Sequence, residues 1–258
     1  MVRLTFLGTG TSFGIPQIGC TCAVCTSADP KDRRNRTAVI VQSDGATILV
    51  DTPPELRLGM LKAGIGTIDA VLYTHDHADH THGIDDLRAL SGRHRGTLPI
   101  YGPADALGRM RHKFDYIFDP LARPIPGSSR PDVTATAVEP GVEVTVAGLV
   151  VLPLKFSHGP SDVLGYRFGR LAYLTDVKEM AAAERAALAS LDVLVLNALF
   201  HRPHPTHLSI PEAVETARAI GARRTYLTHL THETSHASLL AELPPGIEPA
   251  YDGLVVEI

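Results

Sequence analysis

Residues 74–80 read THDHADH, which places three histidines and two aspartates within seven positions. Imidazole nitrogens and carboxylate oxygens are donors that zinc, manganese and iron all accept. In extended chain His75 and His77, two positions apart, project to the same side. Asp79 and His80 follow where the chain turns, so they can face a second point nearby. Donors this crowded repel one another unless positive charge sits among them, and two divalent cations would supply it. The pattern recurs downstream: VLYT leads to His75, LPLKFS to His158, LAYLT to Asp176 and TYLT to His229. Four apolar runs thus end in a donor. Six further histidines (His82, His94, His112, His201, His204, His236) lack such a context and read as surface or satisfied core residues.

Cys20, Cys22 and Cys25 lie within six positions, the only cysteines in the chain. Three cannot all pair in disulfides, and a reducing compartment disfavours even one. C-x-C-x2-C supplies three soft thiolates, and a tetrahedral structural zinc needs a fourth ligand. Three reduced structural cysteines are the alternative.

These donors need a scaffold that brings distant positions together. Apolar or alternating runs read as strands at 2–8, 37–42, 46–51, 69–74, 98–102, 152–156, 171–175, 192–197, 224–228 and 254–258, with a Val/Thr-rich stretch at 133–152. Between them, 178–191 reads as a helix, and S-I-P-E from Ser209 offers a capping box leading into another. Residues 103–131 read as a helix and loop inserted over the sheet, above the mouth of the site. Strands alternating with helices describe a layered α/β domain whose strand ends line one edge. Loops there carry the site without disturbing the core.

Composition narrows the function. The chain has 258 residues, 44% of them hydrophobic, enough for a sizeable core. Its 24 basic residues against 28 acidic ones give no global positive field to draw in long nucleic acid. The first residues, MVRLTFLGTGTSFG, lack the apolar core of a signal peptide, and no run of about 18 apolar residues occurs. A cytoplasmic protein without membrane partners is expected.

Taken together, THDHADH after a strand, ILVD before it, and the separated His158, Asp176 and His229 resemble the metallo-β-lactamase superfamily. LGTGTSFGIPQIGCTCAVC, HPTHLS and LTHLTH add a closer resemblance to its phosphoribosyl 1,2-cyclic phosphate phosphodiesterase branch. The resemblance spans the whole chain and implies a single αββα sandwich domain over residues 1–258, with an N-terminal structural zinc loop at about 8–36. It implies that His75, His77 and His158 hold one ion, that Asp79, His80 and His229 hold the other, and that Asp176 bridges them. Asp51 would orient a ligand histidine instead of binding metal. The fourth ligand of the cysteine site would be His232. DTPPEL departs from the branch, standing where many relatives carry Asp-x-Gly.

The implied activity is hydrolysis of a small, cyclic phosphodiester of a ribose phosphate or nucleotide, by water activated between two divalent cations, zinc or manganese foremost and iron admissible. His207, in HPTHLS, would protonate the leaving oxygen, with Asp79 and Asp176 as the catalytic carboxylates. Two rival readings are a tRNA 3′-end endoribonuclease and a non-catalytic nucleotide-binding module. A homodimer is compatible with everything above. GTGTS (8–12) could offer backbone N–H groups to a phosphate, while KDRRNR (31–36), Arg57 and Arg202 could clamp one or form solvated faces.

Overall fold

The computed structural model describes residues 1–94, 96–121 and 125–258. The first half contributes strands β1 (Val2–Gly8), β2 (Ala38–Ser43), β3 (Ala46–Val50), β4 (Ala70–Leu72), β5 (Leu98–Gly102) and β6 (Val133–Ala137). The second half contributes β7 (Val144–Val146), β8 (Leu149–His158), β9 (Ser161–Phe168), β10 (Leu171–Leu174), β11 (Val193–Asn197), β12 (Arg224–Thr228), β13 (Ile247–Pro249) and β14 (Val255–Glu257). Among the described residues they form two seven-stranded sheets, ordered β14-β1-β2-β3-β4-β5-β6 and β13-β12-β11-β10-β9-β8-β7. The helices are α1 (Leu56–Ala63), α2 (Ala78–Thr81), α3 (Leu87–Ser91), α4 (Ala104–Lys113), α5 (Asp115–Phe118), α6 (Ala182–Ala186), α7 (Ile210–Ile220) and α8 (His236–Glu242).

Side chains alternate between the two faces of a strand, and here both faces are apolar, so each sheet must be covered twice. Val39, Val41, Ile48 and Val50 of the first sheet share a buried cluster with Leu164, Tyr166, Val193 and Val195 of the second. Their neighbours Ala38, Ile40 and Leu49 pack instead with Leu56, Met60, Leu87 and Met110 of α1, α3 and α4. On the other side Leu194, Leu196 and Leu227 pack with Ile210 and Ala213 of α7 and Leu239 of α8. Three apolar layers therefore separate four layers of structure, the αββα sandwich expected from the sequence. Each large side chain so buried contributes about 1.5–3 kcal/mol.

The two sheets also aim their strand ends alike. β3 and β4 run parallel in the first sheet, and β10, β11 and β12 run parallel in the second. β8 is antiparallel to β9, which is antiparallel to β10, so β8 shares the direction of β10. Parallel α/β sheets place ligands at the carboxyl ends of their strands. That is where the sequence puts Asp51, His75, His158, Asp176 and His229.

Several elements differ from the sequence reading. The helix expected over 178–191 shrinks to α6, because the amide of Lys178 donates to Ser157 O at 2.7 Å and Glu179 bridges to Ser157. Backbone committed to that bridge cannot also start a helix. By contrast α7 begins on the expected capping box, with Ser209 and Glu212 each bonded to the other's backbone amide. In the 103–131 stretch, α4 and α5 are followed by residues 122–124, which lie outside the described residues. Arg109 and Lys113 of α4 both bond Asp76, so this helix rests against the THDHADH segment.

Most of the basic run KDRRNR is held by internal partners, with Arg33 left exposed. Arg34 is buried, and its guanidinium donates to Thr9 Oγ1 at 2.8 Å and to Ala250 O. Asp32 accepts the amide of His236 at 2.6 Å, and Asn35 donates its own amide to Asp252 at 2.6 Å. Arg36 pairs with Glu55 and donates to Ser12 O. Buried charges require partners of this kind, and here the partners tie the N-terminal loop to the last segment of the chain. Gly8 to Thr11 of GTGTS are likewise spent on packing, while Ser12 stays exposed: a Cβ on Gly8 would lie 1.9 Å from Arg36 O, and Gly10 N and Thr11 N donate to Asn35 O and Leu230 O. Glycine is needed there for close approach of two backbones. No described helix is long and apolar enough to cross a membrane.

Candidate active site

His75, His80 and His158 are each oriented from behind, whereas neither ring nitrogen of the buried His229 has a hydrogen-bond partner. Asp51, wholly buried after β3, accepts the Thr74 amide at 2.9 Å and the Thr74 hydroxyl at 2.9 Å, and takes the Nδ1–H of His80 at 2.7 Å. Since Thr74 Oγ1 donates to Asp51, it accepts from His75 Nδ1, 2.9 Å away. His158 Nδ1 lies 2.8 Å from Thr206 O, which can only accept, so Nδ1 carries the hydrogen there too. In all three rings the proton sits on Nδ1 and Nε2 is left with its lone pair. That is how ligand histidines are usually prepared.

Three site residues adopt left-handed backbone: Asp51 (φ 65°), Asp176 (φ 60°) and His229 (φ 59°). Outside glycine this conformation is uncommon and costs about 1–3 kcal/mol. The surroundings enforce it at Asp176. Asn197, buried at the end of β11, accepts the Val177 amide at 2.7 Å and donates to Val177 O at 3.1 Å, pinning the residue after Asp176. Asn197 is a functional residue beyond those expected from the sequence; its signal there is a polar residue closing the apolar run DVLVLN.

The donors then converge as two sets. His75, His77 and His158 have ligand-capable atoms within 4.8 Å of one another, and so do Asp79, His80 and His229. Asp176 lies between the sets, Oδ2 at 3.2 Å from His80 Nε2 and Oδ1 at 3.2 Å from His229 Nε2, and it also groups with His75. His207 joins them: its Nδ1 is 3.4 Å from Asp176 Oδ1, and its ring stacks on His229 with centroids 4.8 Å apart. Its grouping with His158 and Asp176 was not anticipated. Ser12, His77, Asp79, Asp176, His207 and His229 line a cavity of about 300 Å³ over the cluster.

The electrostatics show a site short of positive charge. Burial opposes ionisation of Asp176 and Asp79, yet the neighbouring His229 and His80 outweigh it and hold both carboxyls well below their ordinary range. Burial opposes charge on His80 as well, but Asp79, Asp176 and Asp51 around it lift it well above the usual imidazole value. His75, buried beside His80, is pushed well below that value. His207 is lowered to about 3 by burial and then by His229. Without a cation among these carboxylates, His80 is drawn toward a second proton on the Nε2 that otherwise keeps its lone pair. Moreover, Nε2 of His75, His80 and His229 is buried without a hydrogen-bond partner. Buried polar atoms are rarely left so without a functional reason. Divalent cations fit this donor set. Asp76, between two of the histidines, faces away: burial works against its charge, but Arg109 and Lys113 hold it at about 2.

A second cluster lies at the N-terminal loop. The Sγ atoms of Cys20, Cys22 and Cys25 are 3.3, 3.3 and 3.4 Å from His232 Nδ1. A tetrahedral zinc with bonds of about 2.3 Å to sulfur and 2.0 Å to nitrogen keeps such atoms about 3.5 Å apart, so the four residues fit one. The Cys25 amide, ahead of the other neighbours, draws the Cys22 thiol down to about 6, while burial pushes Cys25 up to about 11. Cys22→Ser is expected to lose one equivalent of zinc and lower the melting temperature, because structural zinc contributes folding energy directly. Elemental analysis and thermal unfolding check this. Full zinc content at unchanged stability would rule the site out.

Residues 46–230 match the family model of the β-lactamase superfamily domain. The chain belongs to the metallo-β-lactamase superfamily. It is 41% identical to a diphosphatase of the PhnP family of known structure, covering 100% of this chain and 98% of that one with a TM-score of 0.91, and so belongs to that family too. An octanoyltransferase of Porphyromonas gingivalis is 41% identical over 256 residues, 98% of this chain but 51% of the relative, so the chain spans about half that protein's length. A ribonuclease Z of Myxococcus xanthus is 28% identical over 318 aligned positions, covering 100% of this chain and 98% of that one. The chain is a metallo-hydrolase domain of this superfamily, a fold that implies binding of divalent metal.

Proposed function

We propose that this metallo-hydrolase is a phosphodiesterase for a small, cyclic phosphodiester of a ribose phosphate or nucleotide. The observation that carries the reading is Asp176 set between two facing donor sets, under a cavity of about 300 Å³. His75, His77 and His158 would hold one cation, Asp79, His80 and His229 the other, with Asp176 shared. When bound, such cations lower the pKa of water and neutralise charge gathering on a phosphoryl oxygen. The chain's own residues orient the rest. Asp51 and Thr74 keep Nε2 of His80 and His75 aimed inward, and Asp79 and Asp176 stay ionised where water must be deprotonated. The water gives up a proton to an Asp79 or Asp176 oxygen as its oxygen bonds to phosphorus. The bond to the leaving oxygen breaks, that oxygen takes a proton from His207, and the carboxylate then releases its proton to solvent as the product leaves. An anionic phosphoryl group drawn beside His207 favours its charged form.

The similarity to a diphosphatase and to a ribonuclease Z supports attack at a phosphorus bearing two substituents. The full-length match to the latter also supports a second reading, cleavage of a tRNA precursor. Against it, Arg109 and Lys113 are engaged by Asp76, and the chain carries 24 basic residues against 28 acidic. The half-length match does not carry octanoyl transfer to this site, whose cavity is lined by neither cysteine nor lysine.

Purified protein assayed on cyclic ribose phosphates, cyclic nucleotides, bis-aryl phosphodiesters and a tRNA precursor decides between these. We expect turnover of the small diesters with little dependence on salt, since few phosphates are neutralised. A bound RNA strand gives a log–log slope of about −0.7 per phosphate contacted. A steep slope with turnover of the precursor alone would put the nuclease reading first.

A further inference from the structure

A second cavity, of about 320 Å³, opens beside the first and shares Ser12 and His207 with it. Either alone is at the low end of the roughly 300–1,000 Å³ typical of small-ligand sites; the two together fall within it. Its walls come from the loops after β1, β11 and β12, the last contributing Thr231, His232 and Glu233. From the first, Phe13 lines the cavity while remaining 69% exposed. That ring is not on slack chain. Thr11 N donates to Leu230 O at 3.0 Å, Ile15 N to Arg34 O at 2.8 Å, and Gln17 N to Cys25 Sγ at 3.4 Å. Opposite, the guanidinium of Arg202 sits 3.8 Å over the ring of Phe200, and its Nη1 reaches both carboxylate oxygens of Glu233, at 2.8 and 2.6 Å. His204 meets the same Phe200 ring edge-on.

Arg202 is paired with Glu233, which balances its charge in this structure. What the loops offer is π-surface, a solvated phenyl ring on one side and a neutralised guanidinium on the other, with the Gln17 amide and the His204 ring as hydrogen-bonding groups at the edge. Planar heterocycles use such surroundings, since every base has a stacking face and a polar edge. A bare phosphate would leave the rings unused, and a sugar or peptide would lack the flat face with a polar edge that a base offers to both sides at once. We infer that this cavity is a nucleobase subsite, with Phe13 as its specificity-determining residue, so that the substrate of the metal cavity carries an aromatic base on its ribose. The shared His207 wall sets the geometry. A donor protonating the leaving oxygen stands on the leaving-group side, and in a cyclic nucleotide that oxygen belongs to the sugar that bears the base.

This inference rests on the phosphodiesterase reading, and the test separates the two. We compare a 2′,3′-cyclic nucleotide with the 2′,3′-cyclic phosphate of 1-O-methylribose, which keeps phosphate and sugar but lacks the base, following both by phosphorus NMR. Wild-type protein is expected to favour the nucleotide in kcat/KM. Phe13→Ala should cut the ratio of the two kcat/KM values by about 5- to 100-fold through the nucleotide's KM, and Phe13→Trp should keep it. A structural fault would lower both substrates together and leave the ratio alone. Equal turnover of both by wild type, or an unchanged ratio in Phe13→Ala, would overturn the subsite while leaving the phosphodiesterase standing. Should neither be hydrolysed, nor any other small diester of the panel above, that reading falls; in either case calorimetry with adenosine 3′-monophosphate and ribose 5-phosphate decides the subsite by itself. Tighter binding of the nucleotide that weakens in Phe13→Ala supports it, and equal binding refutes it.

Discussion

Asp176→Ala protein is expected to fold, keep its cysteine-site zinc, lose the metals of the histidine cluster and lose turnover. Asp176 presents one oxygen to His80 and the other to His229, both at 3.2 Å, and groups with His75 as well. No other described side chain lies between the two donor sets in that way. Its removal takes away a carboxylate whose charge survives deep burial only because cationic neighbours favour it. Two cations would then have to share a space with one carboxylate fewer and repel each other across it. Cation stabilisation of the transition state is worth several kcal/mol, so the loss should be roughly 1,000-fold or more. The fold should survive, because the apolar layers lie below the strand ends and the clamp from Asn197 holds Val177, not Asp176.

Asp176→Asn provides the comparison. Asparagine tolerates left-handed backbone about as well as aspartate does, and φ here is 60°. The variant keeps the shape and removes the charge. Elemental analysis separates the outcomes: loss of cluster metal in both variants assigns the effect to charge, whereas loss in the alanine variant alone assigns it to the donor oxygen and backbone shape that asparagine keeps. Full metal content in both would remove Asp176 from the ligand set.

Much of this site was legible because its information is local. THDHADH encodes the i, i+2 projection of two histidines and the turn into Asp79 and His80, and a donor after an apolar run marks a strand end wherever the sheet happens to lie. The layering was legible for the same reason, through the alternation of Val39, Ile40 and Val41. What escaped was whatever depends on distant partners. Arg34 reads as one charge in a basic run until Ala250 and the segment around His236 are folded onto it, more than 200 residues away. The alanine-rich segment 178–191 has strong helix propensity, yet its first residues are taken by Ser157, and tertiary contact prevails over propensity. β9 was missed because SDVLGYRF mixes polar and apolar residues without clean alternation, and its Gly165 is there because a Cβ would meet Leu174 and Phe156 at under 3 Å. Asn197 becomes meaningful only once β11 lies beside β10.

His207→Ala should separate leaving groups instead of abolishing the reaction. General acid catalysis matters when the departing oxygen is basic, so hydrolysis of a ribose-type diester is expected to slow by roughly 100- to 10,000-fold. A p-nitrophenyl diester should slow little, since that phenolate departs without a proton while attack by water follows the same route. The geometry makes the test demanding. His207 stacks on His229, lies 3.4 Å from Asp176 Oδ1, and groups with His158 and Asp176 closely enough to be a ligand itself. Burial and His229 hold it near 3, so the resting ring is neutral at pH 7 and must take up its proton once the anionic phosphoryl group is beside it. A donor charged in this way loses only the reaction that needs its proton. A ligand loses metal, and with it both reactions; a residue that merely fills the wall loses neither. Metal analysis beside the two rate constants therefore gives three distinct signatures. Unchanged metal content with a selective loss of the alkoxide substrate is the one expected, and equal loss of both substrates would end the proton-donor assignment.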